Sequence, residues 1–325
     1  MGLGRCIATA LATGLLALTG ACATAPQVRV LEHPAGPAAS PPAYASGQVV
    51  VSRSGGALSV FFSLFPEHYH PYIHTGVIAV EDGVPHVYHT MGVIRPSFRR
   101  PPTAVTRGRV RRTPLDDYVR AQRYVEVYDP PAFVDRERVV TFARDHFRKG
   151  TPFDPYFNTR DRTRLYCTEF VALALEAGGG GPYPITPNRD RPSLAVVTRW
   201  LGIDAAGSIQ GDTLVHGHRH VATLSSRDTL AQARLRSAAY GEIHRRFTPD
   251  QRLGHVFSWN GAGLSFRPGI AAFLDQAVHL ADGAPVAPTP SQARDAVSTL
   301  ARELLGPTPT PPATTHAAAP FPPGQ

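Results

Sequence analysis

Between Gln48 and Tyr128 the apolar residues fall into short runs rich in Val, Ile, Tyr and Phe, separated by polar or glycine-containing breaks, which is the pattern of strands. It predicts strands over 48–52, 57–64, 73–80, 84–90 and 123–128. Glu81-Asp82-Gly83 joins the third to the fourth as a tight hairpin. Further on the period lengthens to that of helices. One is predicted over 135–148, capped by Asp135 and stopped by Gly150, and a second over 167–177, stopped by Gly178 to Gly181. Strands first and helices later imply an α+β fold, an antiparallel sheet packed against the helix that carries Cys167. After Trp200 the pattern weakens to a hairpin over 213–224 and short helices after Leu230.

The two ends read differently. Residues 1–25 have Arg5 ahead of an apolar run, Ile7 to Leu18, that is too short to span a bilayer, which is the design of an export signal. Thr19-Gly20-Ala21-Cys22 resembles a lipobox and Ala21-Cys22-Ala23 an ordinary small-x-small cleavage site. Lipidation at Cys22 is the expectation, with the protein exported to the periplasm or held at the outer membrane as a lipoprotein. Residues 26–46, rich in Pro and Ala, read as a tether. The folded domain is expected over 47–282, with an extension from about 201. The Pro/Ala/Thr-rich tail, 283–325, carries a helical repeat over 292–305 (Ala293, Val297, Leu300, Ala301, Leu304) and an expected disordered end. A body of about 235 residues can bury a core without disulfides.

Composition sharpens this picture at two points. There are 33 Lys and Arg against 25 Asp and Glu, and Lys149 is the only lysine. A mildly cationic surface suits anionic envelopes or lipid head groups. The Arg-rich stretch from Arg95 to Arg112 reads as a solvated loop. Nucleic acid is excluded as a partner by the lack of interleaved aromatic and basic residues. The second point is cysteine: Cys6 and Cys22 fall in the export signal, which leaves Cys167 alone in the folded body. In an oxidising compartment such a thiol is a buried small hydrophobe, an intermolecular link or a reactive centre.

A helix N-terminus and a nearby histidine both stabilise a thiolate, and Cys167 is predicted in the first turn of its helix. His74, on the strand over 73–80, is the expected base. With Asp82-Gly83 as the turn, Gly76 opposes His89, which places His89 diagonal to His74 on one face, together with Gly76 and Ile78. His86 has the opposite parity and points away. The expected roles are Cys167 as nucleophile, His74 as base and acid, and His89 as the residue that orients the imidazole. Tyr166, Glu169 and Gly76 are candidate substrate contacts, Gly76 by opening room beside His74, while Glu169 also fits an ion pair or a helix cap. The backbone N–H of Cys167 is a candidate oxyanion donor. His216-Gly217-His218-Arg219-His220 could present three histidines on one strand face, but no carboxylate or cysteine cluster accompanies them, and neither a metal nor another cofactor is expected.

Phe153-Asp154 through Phe157, Asp161 and Leu165-Tyr166-Cys167-Thr168-Glu169-Phe170-Val171, preceded by His74-Thr75-Gly76-Val77-Ile78, resemble the YiiX-like branch of the NlpC-type papain-like superfamily over roughly 47–200. That branch is circularly permuted, with the histidine strand ahead of the cysteine helix. The resemblance implies a permuted papain-like fold and a cysteine hydrolase or acyltransferase. Two positions depart from it: Gly47-Gln48 stands where the family commonly has Gly-Asp, and His89 where the third catalytic residue is often Glu. Together these readings lead to a monomeric envelope cysteine hydrolase that cleaves an amide bond in peptidoglycan peptides, with an amidase, esterase or acyltransferase acting on a lipid-linked substrate and a non-catalytic envelope binding protein as alternatives.

Overall fold

The computed structural model describes residues 26–33, 42–92, 108–188, 192–203, 207–250, 252–259 and 263–309. In chain order the elements are β1 (Arg29–Glu32), β2 (Val49–Arg53), α1 (Ala57–Ser63), β3 (His74–Glu81), β4 (Val84–Gly92), β5 (Gly108–Pro114), α2 (Leu115–Ala121), β6 (Tyr124–Asp129), α3 (Arg136–Lys149), α4 (Cys167–Ala177), α5 (Pro192–Leu201), α6 (Gly211–Leu214), β7 (Arg219–Ser225), α7 (Leu230–Asp250), α8 (Leu253–Val256), β8 (Phe257–Trp259), β9 (Leu264–Phe266), α9 (Pro268–His279) and α10 (Pro290–Leu305). The architecture is α+β: an antiparallel seven-stranded sheet of order β1-β7-β6-β2-β3-β4-β5, a small β8-β9 ribbon, and ten helices among the described residues.

β2 lies mid-sheet and is buried along its whole length, because helices cover both faces. On one face Val49, Val51, Val77 and Ala79 pack under α3 and α4. On the other Val50, Ile78, Val87 and Val127 pack with Leu115, Tyr118 and Val119 of α2. The β3–β4 hairpin turns on Asp82 and Gly83, both at positive φ, and pairs Glu81 with Val84 and Val77 with Tyr88, the register expected from the turn residues. α3 begins where the Asp135 carboxylate accepts from the N–H groups of Glu137 and Arg138, and stops at Gly150 in the left-handed region.

A separate core joins α1 to α7, α9 and α10. Here the structure corrects several expectations. Residues 57–64 form a helix, since the buried Ala57, Val60, Phe61 and Leu64 follow the helical spacing that aromatic content obscured. The reading of 26–46 as a tether fails at β1, a short strand on the sheet edge that pairs with β7. Residues 213–224 do not form a hairpin: α6 is followed by β7, which pairs with β1 and β6 instead. α7 is 21 residues long, not a short helix. The tail helix starts earlier than expected, under a Thr289–Gln292 capping box, and buries Ala293, Val297 and Ala301, so the folded body runs past 282. The Arg-rich loop reading fails over 108–112, because Arg109, Arg111 and Arg112 belong to β5, an edge strand whose charges discourage pairing with another chain, and 93–107 lie outside the described residues. Residues 1–25, with Cys22, lie outside the described residues, as do 310–325 of the tail. Among the described residues no helix is long and apolar enough to cross a membrane.

On β6, Glu126 is buried and accepts hydrogen bonds from three tyrosine hydroxyls: Tyr72, Tyr124, and Tyr128 at 2.6 Å. These bonds stabilise a buried carboxylate that would otherwise be costly.

Candidate active site

His74 opens β3 and His89 sits on β4, and the hairpin register brings their rings together. His74 Nε2 and His89 Nδ1 share a hydrogen bond of 2.9 Å, and His89 Nε2 meets Thr113 Oγ1 of β5 at 3.1 Å. The Tyr118 ring stacks on His74 with centroids 5.9 Å apart and meets His89 edge-on, while its hydroxyl bonds to Ser52 Oγ at 3.0 Å. Both histidines are therefore fixed through one ring nitrogen or more and clamped by an aromatic face. His74 Nδ1 is left as the atom available for chemistry if Nε2 carries the proton, since a chain Nε2–H(His74) to Nδ1(His89), then Nε2–H(His89) to Thr113 Oγ1, satisfies both rings.

Cys167 is the first residue of α4 and a free thiol. Thr75 Oγ1 donates to its carbonyl at 2.9 Å, and Cys167 Sγ points to the carbonyl of Ile73 at 3.6 Å. The helix thus sits against the start of β3. Side chains alternate along a strand, so Thr75 faces the helix and His74 the opposite side. This corrects one expectation: the face shared by His74 and Ile78 is covered by α2, whereas α4 packs on Val77 and Ala79. At the strand's end the thiol and His74 both line one cavity of about 480 Å³.

Electrostatically the resting site is neutral. Burial pushes the Cys167 thiol up to about 11, although the backbone N–H groups of Thr168, Thr75 and Cys167 work the other way by favouring the thiolate. Burial also holds His74 down to about 4. His89 is held down to about 2, by burial first and then by the neighbouring His74 and Arg111. The cavity wall is apolar along Leu58 and Phe62 of α1, Phe65, Phe153, Phe157, Ile203 and Ile209, and carries uncharged polar groups such as Gln122, Asn188 and Gln210 between them. Among the described residues no Asp, Glu, Lys or Arg lines it.

No protein-family model matches the chain, and no curated protein does. Among solved structures it is similar to the metalloprotein yiiX from Escherichia coli O157:H7, at 16% identity and a TM-score of 0.41, over 53% of this chain and 92% of that one. The likeness is partial and remote.

The structure thus bonds His89 to His74 and sets His74 and Cys167 on the wall of one cavity, with His89 behind His74 and outside the lining. It does not bring the three expected substrate contacts there, since none of them lines the cavity. Tyr166 is fully buried and its hydroxyl accepts from the Ile209 N–H at 3.2 Å, a packing role beneath the helix start. Glu169 is also fully buried, pairs with Arg162 at 3.2 Å, and is pushed up to about 7 by burial. Gly76 opens no room beside His74: a Cβ there would come within 2.5 Å of Val87 Cγ1, so glycine lets the hairpin and its neighbours close up. His86 turns to the Val84 carbonyl, as its parity requires. Of the 216–220 histidines only His220 lies in β7, bonded to Thr223, and Gly217 turns the chain at positive φ between His216 and His218. They therefore share no strand face. Among the described residues no group of three or more His, Cys, Asp or Glu side chains is arranged to hold a metal ion.

Four residues of the site escaped the sequence reading: Thr113, Tyr118, Ser52 and Gln122. Gln122 follows the last residue of α2, is buried, and lines the cavity, and its amide oxygen has no partner among the described residues. The alternation of β5 could have signalled Thr113, which lies two residues along from Arg111, the partner of His89, and so on the same face. Tyr118 sits on a short helix whose packing no local pattern reveals.

Proposed function

We propose that this chain is a cysteine hydrolase of the permuted papain-like type, acting on the carbonyl of an apolar acyl amide or ester in the cell envelope. The observation that carries the reading is that Cys167, at a helix start, lines one cavity with His74, whose ring is bonded in turn to His89 and, through it, to Thr113. The order of strand and helix and the antiparallel sheet support the permuted fold, as does the sequence resemblance to the YiiX-like branch.

In this mechanism His74 Nδ1 takes the thiol proton as Sγ attacks the substrate carbonyl, so thiolate and imidazolium appear together and stabilise each other. That coupling is needed because burial disfavours each charge alone. His89 accepts from the imidazolium N–H, and Thr113 holds His89 in place. The N–H groups at the start of α4 stabilise the tetrahedral oxyanion. His74 returns its proton to the leaving amine or alcohol, a thioester forms on Cys167, and water deprotonated by His74 releases the acid.

The substrate class follows from the cavity wall. Peptidoglycan stem peptides carry carboxylates and amines for which this wall offers no Asp, Glu, Lys or Arg as a counter-charge, whereas an acyl chain would bury apolar surface along Phe62, Phe153 and Phe157. An export signal and a lipid on Cys22 fit a substrate drawn from a membrane. The deciding experiment incubates the chain separately with a long-chain acyl amide, a long-chain acyl ester and a muropeptide, and seeks an acyl adduct on Cys167 by mass spectrometry. An adduct from either acyl compound supports the reading, and one from the muropeptide alone moves the substrate back to peptidoglycan. With no adduct from any of them, the non-catalytic binding protein becomes the better account.

A further inference from the structure

β2 ends in Arg53, at the seam between the sheet and the helical layer. This side chain is buried, only 7% exposed, and its Nε has no hydrogen-bond partner among the described residues. Its guanidinium lies 4.7 Å from the centroid of the Tyr124 ring and borders a second cavity, of about 10 Å³. Arg123, Arg236 and Asp228 line the same cavity, so three guanidiniums meet one carboxylate. Asp228 is already engaged by Arg123 Nη1 at 2.9 Å and by Arg236 Nε at 3.3 Å. Glu126, the next acidic group, is occupied by its three tyrosine donors. Arg53, Arg123 and Arg236 thus stand against Asp228 and Glu126, one positive charge in excess, and because a buried excess charge is costly a small negative partner would balance it. A cavity of this size holds one water or one monatomic ion and excludes phosphate, sulfate and organic carboxylates.

We propose that this cavity is a binding site for one small monovalent anion, chloride, held by Arg53 and Arg236 beside Asp228. The ion fastens β2 and β6 to α7, since Arg53, Tyr124 and Arg236 come from those three elements. The site is independent of the chemistry at Cys167.

The test is thermal unfolding of the full chain in sodium chloride, sodium bromide and sodium gluconate at equal ionic strength, joined to crystals grown in bromide. Chloride and bromide should raise Tm by about 3 °C or more over gluconate, which is too bulky to enter. General salt effects run the opposite way for bromide, so they cannot mimic this result. Arg236→Gln and Arg53→Met should each abolish the difference, and an anomalous bromide peak should lie between Arg53 and Arg236. Equal Tm in the three salts, halide dependence kept in a folded variant, or a water only at the site overturns the proposal. If Arg53→Met fails to fold, Arg236→Gln and the bromide crystal decide.

Discussion

Burial sets the chemistry of each residue at the site. A thiol pushed up to about 11 should alkylate slowly at neutral pH, so the iodoacetamide rate on Cys167 should climb roughly tenfold per pH unit from 7 to 9 without levelling. A plateau by pH 7 would mean a preformed thiolate and a far wetter site. His74 accepts a proton only when neutral, so kcat/KM should stay level from pH 7 to about 5 and fall through about 4. The same depression has a stability consequence of definite sign. The unfolded imidazole, near 6.5, takes up protons that the folded one refuses, so stability is full above that value and is lost as pH falls towards 4. His74→Gln should flatten that part of the unfolding free energy measured against pH. For turnover, His74→Ala should lower kcat by ~10²–10⁴-fold, His89→Ala by less because it acts through His74, and His86→Ala hardly at all. An equal loss for His86→Ala in steady-state assays would break the hairpin register.

Elements show what was legible in the sequence and what was not. The β3–β4 register could be read from Asp82-Gly83 alone, because a two-residue turn fixes every pair that follows, and with it the approach of His89 to His74. The start of α4 was readable from the switch to apolar residues at helical spacing after a polar segment. Which face of β3 the helix covers was not, since alternation gives two faces and no label for either. α1 was misread because Val60, Phe61 and Phe62 have strand composition, and only tertiary burial of 57, 60, 61 and 64 decides for helix. β1 was hidden because four residues flanked by prolines carry too little pattern and depend on β7, nearly two hundred residues away. The close packing of the hairpin gives a prediction at this scale. Gly76→Ala should cost about 1–3 kcal/mol in chemical denaturation, since its Cβ would meet both Val87 and the Tyr88 carbonyl. An unchanged midpoint would show that the hairpin relaxes.

The whole molecule is a sheet with a helix-covered site and a second core that reaches it through α1. Leu58 and Phe62 of that helix line the cavity at Cys167, while Val60 and Phe61 belong to the core shared with α7, α9 and α10. Loss of the tail helix should therefore be felt at the site. A chain ending at 282 strips the cover from the α7–α9 surface that Ala293, Val297 and Ala301 bury. It should unfold at least 5 °C lower and lose acyl-substrate affinity before the hydrogen bond between His74 and His89 is disturbed. Calorimetry and binding titration check the two parts. A truncated protein with unchanged Tm would make α10 an ornament.

The carboxylate of Glu126 also gives the protein an optical signature. Ionising Tyr72, Tyr124 or Tyr128 would set a second negative charge beside the first in a buried place, and each of these phenols is held well above its ordinary range by burial and by Glu126. Tyr118, stacked on His74, is held up by burial as well. In an alkaline titration these rings should stay dark at 295 nm while exposed tyrosines turn to phenolate, and then absorb together in one step when the sheet opens. Ultraviolet absorbance would thus record unfolding of this layer with no added label.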